Sequence, residues 1–211
     1  SKVVTKERVW KGKQEVKDLL LDFIATEPNE KKDTIMEVSV WKALFRKKVF
    51  DEYDISFVSE RQFISEDVIF DIDYLSKCNC VVAIPEPVYF YCVNPNSLSK
   101  VFRTDRFNKV KKLYKEILKK LIPIYGEELS NRRGDRFLIA RARTNARQII
   151  RHEKIIGKNK MMKALHNICE DQDMNEIFQR YPIHLLPLKY RLVAYLMKYR
   201  CYHLLKIILG R

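Results

Sequence analysis

Glycine is scarce in this chain, with five in 211 residues. Neither G-x-G-x-x-G nor G-x-x-x-x-G-K-[ST] occurs, which excludes the usual phosphate-cradling loops. No apolar run approaches the roughly 20 residues needed to span a bilayer. The lysine-rich start lacks the apolar stretch of a secretory leader, so none is expected within the sequence. Five cysteines (Cys78, Cys80, Cys92, Cys169 and Cys201) contain no C-x-x-C and complete no zinc spacing. They are expected to be reduced thiols of a cytosolic protein. Four scattered histidines form no H-E-x-x-H, and no ligand role is assigned to them.

What is present is a steep charge gradient. Residues 1–100 hold 15 basic and 17 acidic side chains, and the remainder holds 26 and 10, so all of the net charge of +14 comes from the second half. Such asymmetry points to an anionic partner surface, membrane or nucleic acid. Hydrophobic spacing predicts helices over 10–25, 38–50 and 68–78, and short strands over 81–84 and 88–93. From Thr104 onward the pattern is helical, with stretches over 104–123, 135–152, 158–169 and 187–209. The expected fold class is therefore α+β and mainly α-helical. Two regions are expected, 1–103 and 104–211, the second a basic helical extension.

Ser65-Glu66-Asp67-Val68-Ile69-Phe70 places two adjacent carboxylates at the head of an apolar run. One reading is a helix start, with Ser65 as cap and the acids favouring the positive helix end. The other is chemical, since a carboxylate at the edge of a core is readily tuned into a general base. Upstream stands Ser39-Val40-Trp41-Lys42-Ala43-Leu44-Phe45-Arg46. Downstream stand Pro85-Glu86-Pro87-Val88-Tyr89-Phe90-Tyr91 and Ser97-Leu98-Ser99. In this order the segments resemble the C-terminal half of the catalytic domain of family 2 glycosyltransferases of the bacterial polysaccharide type, with S-x-W-x-x-L-[FY]-R, E-D-x-x-F, Y-x-Y and S-L-S. The resemblance covers about residues 38–103.

The resemblance implies an inverting sugar transfer from a nucleotide sugar to a glycan or lipid-linked acceptor in cell-surface polysaccharide synthesis. Asp67 would take the acceptor's proton, and Glu66 would orient the base or bind acceptor hydroxyls. Trp41 is a candidate sugar platform, with a core position as its competing reading. Tyr89 and Tyr91 read as strand residues, and Ser97 and Ser99 as turn supports. Cys92 stands where the family commonly carries Arg. The complete enzyme would use a divalent metal, Mg or Mn, held by a D-x-D element at a strand end upstream of S-x-W. Asp71-Ile72-Asp73 has those letters inside a helix, where residues two apart diverge, and is read as helix surface. No metal is expected to be bound by this chain itself. Nothing before Val38 resembles the nucleotide- and metal-holding half of the family's GT-A-type domain. The chain thus reads as the acceptor-side part of a longer enzyme, partnered by that missing half and inactive alone, with homodimerisation open at an uncovered sheet edge.

The last expected helix carries an apolar stripe that includes Met197 and Leu204, with Arg191, Lys198 and Arg200 at its shoulders. That pattern suits either a helix in the membrane interface or one packed in a bundle. A cytoplasmic chain, peripheral on the inner membrane face, is the matching expectation. Arg132, Arg133, Arg136, Arg141, Arg143, Arg147 and Arg151 raise an alternative, a basic helical nucleic-acid-binding or adaptor protein. No recognised nucleic-acid motif accompanies them, so nucleic acid is not the expected partner.

Overall fold

A computed structural model describes residues 6–36, 39–59, 62–87, 89–90, 92, 103 and 105–210. The fold is α+β and mainly α-helical. Strand β1 (Arg8–Lys11) leads through Gly12, at φ 84°, into α1 (Gly12–Ile24). A 3-10 turn (Val40–Lys42) and the short helix α2 (Lys47–Tyr53) follow. Helix α3 (Asp67–Leu75) then leads to β2 (Cys80–Ala83), which pairs antiparallel with β1, Trp10 opposite Val81. The pairing is non-local, and for that reason β1 does not announce itself in the sequence: Arg8-Val9-Trp10-Lys11 has strand geometry only because β2 lies beside it. The expected helix over 38–50 is instead a 3-10 turn and α2, separated by extended backbone at Ala43 and Arg46. Of the strand expected over 88–93, Val88, Tyr91 and Val93 lie outside the described residues, as do Ser97 and Ser99.

The remainder is a helical bundle built on α4 (Arg106–Tyr125) and α5 (Glu127–Arg151). Helix α4 runs through Pro123 to Tyr125, and Gly126 (φ 78°) makes the corner. The stripe Phe107, Val110, Leu113, Tyr114, Ile117 and Leu121 is buried against α5, as its period requires. Leu118 and Tyr114 of α4 pack over the bare backbone of Gly134 in α5. A Cβ there would lie 2.6 Å from Leu118 Cδ2 and 3.2 Å from Tyr114 Cε2. Around α5 stand α6 (Glu153–Ile156), α7 (Lys158–Cys169), α8 (Gln172–Arg180), α9 (Leu188–Lys198) and α10 (Tyr202–Gly210). Helix α8, unread in the sequence, is capped by Asp171, whose side chain accepts from Met174 N. The single helix expected over 187–209 is broken at Tyr199–Cys201, where Arg200 takes φ 58°.

One hydrophobic core runs through both regions, with α3 packed on α1 and α4, and α1 on α5. Two polar devices lock it. Asp135, buried in α5, receives Tyr114 Oη at 2.8 Å and a two-pronged ion pair from Arg180, Nε at 2.7 Å and a terminal nitrogen at 2.7 Å. A fork-on-carboxylate pair of this kind holds its partners in one orientation. The second device is the arginine row of α5. Arg136, 1% exposed, donates to the carbonyls of Pro28 (3.0 Å), Glu30 (3.1 Å) and Lys32 (3.3 Å). Arg133 donates to Ala25 O at 2.7 Å, Arg132 pairs with Glu27 at 3.0 Å, and Arg143 pairs with Asp33.

Four of the seven arginines weighed as phosphate grips therefore fasten the loop between α1 and the 3-10 turn to α5. Replacing Arg136 with Met leaves the carbonyls of Pro28 and Glu30 without their donor and that of Lys32 with the Thr26 hydroxyl alone. Chemical denaturation is expected to show a loss of about 3 kcal/mol, with faster amide exchange over 26–33. An unchanged midpoint would mean that water replaces the guanidinium without loss.

Candidate functional site

The segments singled out in the sequence meet at the N-terminus of α3. Ser65 adopts φ 61°, a conformation that L side chains rarely take, and this turns the chain sharply into the helix. Its backbone carbonyl accepts Val68 N at 3.1 Å, but no side chain caps the helix, so the expectation of Ser65 as cap is corrected. Asp67 is the first helical residue, and its carboxylate accepts the backbone N–H of Val40 at 3.4 Å. The acid thus holds the S-x-W segment rather than closing its own helix. Glu66, half-buried, immediately precedes it at the helix N-cap position.

Holding Val40 places Trp41 at the surface, 42% exposed, its ring 4.8 Å from that of Tyr89 and tilted by 40°. Trp41 is therefore not a core tryptophan, and Tyr89 is not in a strand. The two rings form an exposed aromatic corner next to the Asp67 segment. Beneath it, aromatic packing fixes the 45–57 stretch on α3. Phe57 stacks on Phe70 at 4.2 Å, Phe45 meets Phe70 and Tyr74 edge-on at 5.0 and 4.9 Å, and Arg46 N donates to Tyr74 Oη at 2.7 Å. Edge and stacked pairs of this sort add directionality to simple burial.

One turn beyond Asp67, on the same helix face, lies Asp71, which is buried. Burial chiefly, and then the neighbouring Asp67 charge, raise its pKa to about 7, opposed by Lys42. The reading of Asp71 as helix surface is corrected by that burial. An aspartate inside Val68-Ile69-Phe70-Asp71-Ile72, four residues after Asp67, was the available signal. Asp73 points elsewhere and receives Lys120 Nζ at 2.7 Å. Asp71 and Asp73 do not converge, and among the described residues no cluster of three or more His, Cys, Asp or Glu side chains suits a metal. The residues present at this site do not fit a divalent ion.

The tail residues sit in differing environments. Met197 is wholly buried with Val193, Ala194 and Leu205, so much of the apolar stripe is a packing face and Met197 contacts no membrane. Lys198 Nζ donates to Phe178 O at 2.7 Å, and Arg191 donates to His184 O at 3.0 Å. Leu204 is half-exposed and Arg200 is exposed. Among the described residues no helix is long and apolar enough to cross a membrane. Comparison with protein-family models, with curated proteins and with solved structures yields no match to this chain.

The proton on Asp71 makes stability depend on pH. An unfolded aspartate releases its proton near pH 4, whereas the folded group keeps it until about pH 7. The folded state therefore binds the extra proton between those values, and stability falls as pH rises through that window. Asp71→Asn removes the dependence. At pH 8 the variant is expected to be more stable than the parent by roughly 2–4 kcal/mol, and at pH 4 the two should coincide in denaturant titrations.

Proposed function

We propose that this chain is the acceptor-side part of an inverting glycosyltransferase that passes a sugar from a nucleotide sugar to a glycan or lipid-linked acceptor. The observation that carries the proposal is the Asp67 carboxylate, held on the Val40 N–H between an exposed aromatic corner and a buried second carboxylate. Each part has a chemical use. Trp41 and Tyr89 offer apolar ring faces on which a pyranose can lie, fixing the acceptor by stacking. Asp67 stands beside that platform as the group to take the acceptor hydroxyl's proton as the new glycosidic bond forms. Asp71, protonated up to about pH 7, cannot itself take the acceptor's proton below that pH. Glu66, half-buried beside Asp67, would meet acceptor hydroxyls in this reading.

Nucleotide and metal binding belong, in this reading, to a preceding half of the same enzyme. That half would supply a divalent ion, Mg or Mn, to neutralise the departing diphosphate. The basic second region, with Arg200 and Leu204 outward, suits a cytoplasmic enzyme lying against the inner face of the membrane where lipid-linked acceptors reside.

The test is sugar transfer by the full-length enzyme from radiolabelled nucleotide sugars to membrane acceptors. Asp67→Asn is expected to lower turnover by at least about 100-fold while leaving donor binding intact. Trp41→Ala should raise the acceptor KM with little change in kcat. Wild-type turnover in Asp67→Asn would refute the assignment of the base. The present chain alone should give no single-turnover transfer.

A further inference from the structure

Helix α9 is apolar on two opposite sides. Val193, Ala194 and Met197 face the core and are buried. At 100° per residue, Leu188, Leu192, Tyr195 and Tyr199 fall within an arc of about 60° on the other side. That side is not covered. Leu188 is 72% exposed and Tyr199 67%, and Leu192 and Leu185, just before the helix, are exposed as well. The Tyr195 and Tyr199 rings lie nearly parallel, 6.1 Å apart. A surface helix ordinarily turns charge outward, whereas this one turns out leucine and tyrosine.

The charges stand at the borders of this stripe and have one sign. Residues 181–211 contain six Lys or Arg and no Asp or Glu. Lys189 lies along one edge, and Arg191 and Lys198 along the other. Arg191 and Lys198 donate to the uncharged carbonyls of His184 and Phe178. Among the described residues no ion pair engages Lys189, Arg191 or Lys198, whereas Lys111 and Lys120 of α4 meet Asp171 and Asp73. This uncompensated charge narrows what can cover the stripe. A second copy laid on the same face would set basic edges against basic edges, which like-charge repulsion opposes. Anionic headgroups with acyl chains beneath them match both parts, the leucines by burial and the bases by charge.

We propose that the outward face of α9 is the surface by which this chain docks on an anionic lipid bilayer, with Leu188 and Leu192 entering the acyl boundary and Lys189, Arg191 and Lys198 against the headgroup phosphates. Tyr195 and Tyr199 lie at headgroup depth, where a ring with one polar end is favoured. This face is the reverse of the one that carries Met197, which stays in the core. The bundle therefore keeps its packing and the chain docks as a folded body. The inference rests on the membrane location put forward above and gives it a surface and a lipid chemistry; the sugar chemistry plays no part in it.

The test is flotation of the chain with vesicles of phosphatidylcholine alone and of phosphatidylcholine mixed with phosphatidylglycerol, with thermal melts of every variant in parallel. Binding is expected to the mixed vesicles, and it should weaken as salt rises. The double variant Leu188→Gln/Leu192→Gln should lower partitioning about tenfold or more, and Lys189→Gln about fivefold. Val82→Gln, which removes an exposed apolar side chain from β2, should leave it unchanged. Tyr199→Trp should add emission that brominated acyl chains quench, beyond that of the parent. No binding to the mixed vesicles would overturn the proposal, and so would equal binding to the neutral ones or an equal loss in Val82→Gln. A dimer in sedimentation that the double leucine variant disperses would overturn it too, because a second copy would then cover the stripe. No sugar transfer is read, so failure here leaves the Asp67 test standing, and failure of that test leaves this one standing.

Discussion

The guanidinium of Arg136, sunk in the core and bonded to the carbonyls of Pro28, Glu30 and Lys32, is the contact on which the first half of the molecule depends. Among the described residues the carbonyls of Pro28 and Glu30 have no other side-chain donor and that of Lys32 has only the Thr26 hydroxyl besides, and a buried guanidinium has few ways to be satisfied except by several oxygens at once. Each solves the other's problem. Arg133 and Arg143 extend the same logic along α5, binding Ala25 O and Asp33. Tyr190 of α9 covers the row from the other side, with Arg143 over its ring at 3.9 Å. The loop leaving α1 is thereby fixed to the bundle, and so is the chain that continues from it toward the 3-10 turn bearing Trp41.

Helix α3 then divides the chemistry. One face turns Asp67 and Asp71 toward the Val40–Lys42 turn, and another sends Asp73 to Lys120 on α4. The apolar positions between them, Val68, Ile69 and Phe70, are buried. A nine-residue helix can hold three carboxylates near a core only because each has a different resolution: one accepts a backbone N–H, one keeps its proton, and one forms an ion pair. The turn at Ser65 that opens this helix, with φ 61°, also lines a small hollow bordered by Arg106 of α4 and Arg141 of α5.

The second half was legible where one helix face decided the outcome. The stripe on α4 and the bounds of α7 follow from hydrophobic period and punctuation. Helix α8 was missed because only Met174, Ile177 and Phe178 are buried in it, too few to show a period. The apolar stripe over 187–209 was real, but its continuity was not: a left-handed residue at Arg200 breaks the helix without glycine or proline to announce it. At the candidate site the order of motifs marked Ser39-Val40-Trp41, Glu66-Asp67 and Tyr89 as a set. Their meeting point, and the burial of Asp71 beside them, were not readable from spacing along the chain.

The amino-acid sequence by itself determined the mainly helical class, the location of α4 and α7, the charge imbalance between the halves and the acidic head of α3. These are local properties, set by side-chain period and by neighbours within a turn or two. The tertiary structure alone decided that β1 is a strand, that Trp41 is exposed, that Asp71 keeps its proton to about pH 7, and that four arginines of α5 fasten a distant loop. Each of these outcomes depends on desolvation and pairing between residues far apart in the chain, and a charge's environment exists only once the folded surfaces have met.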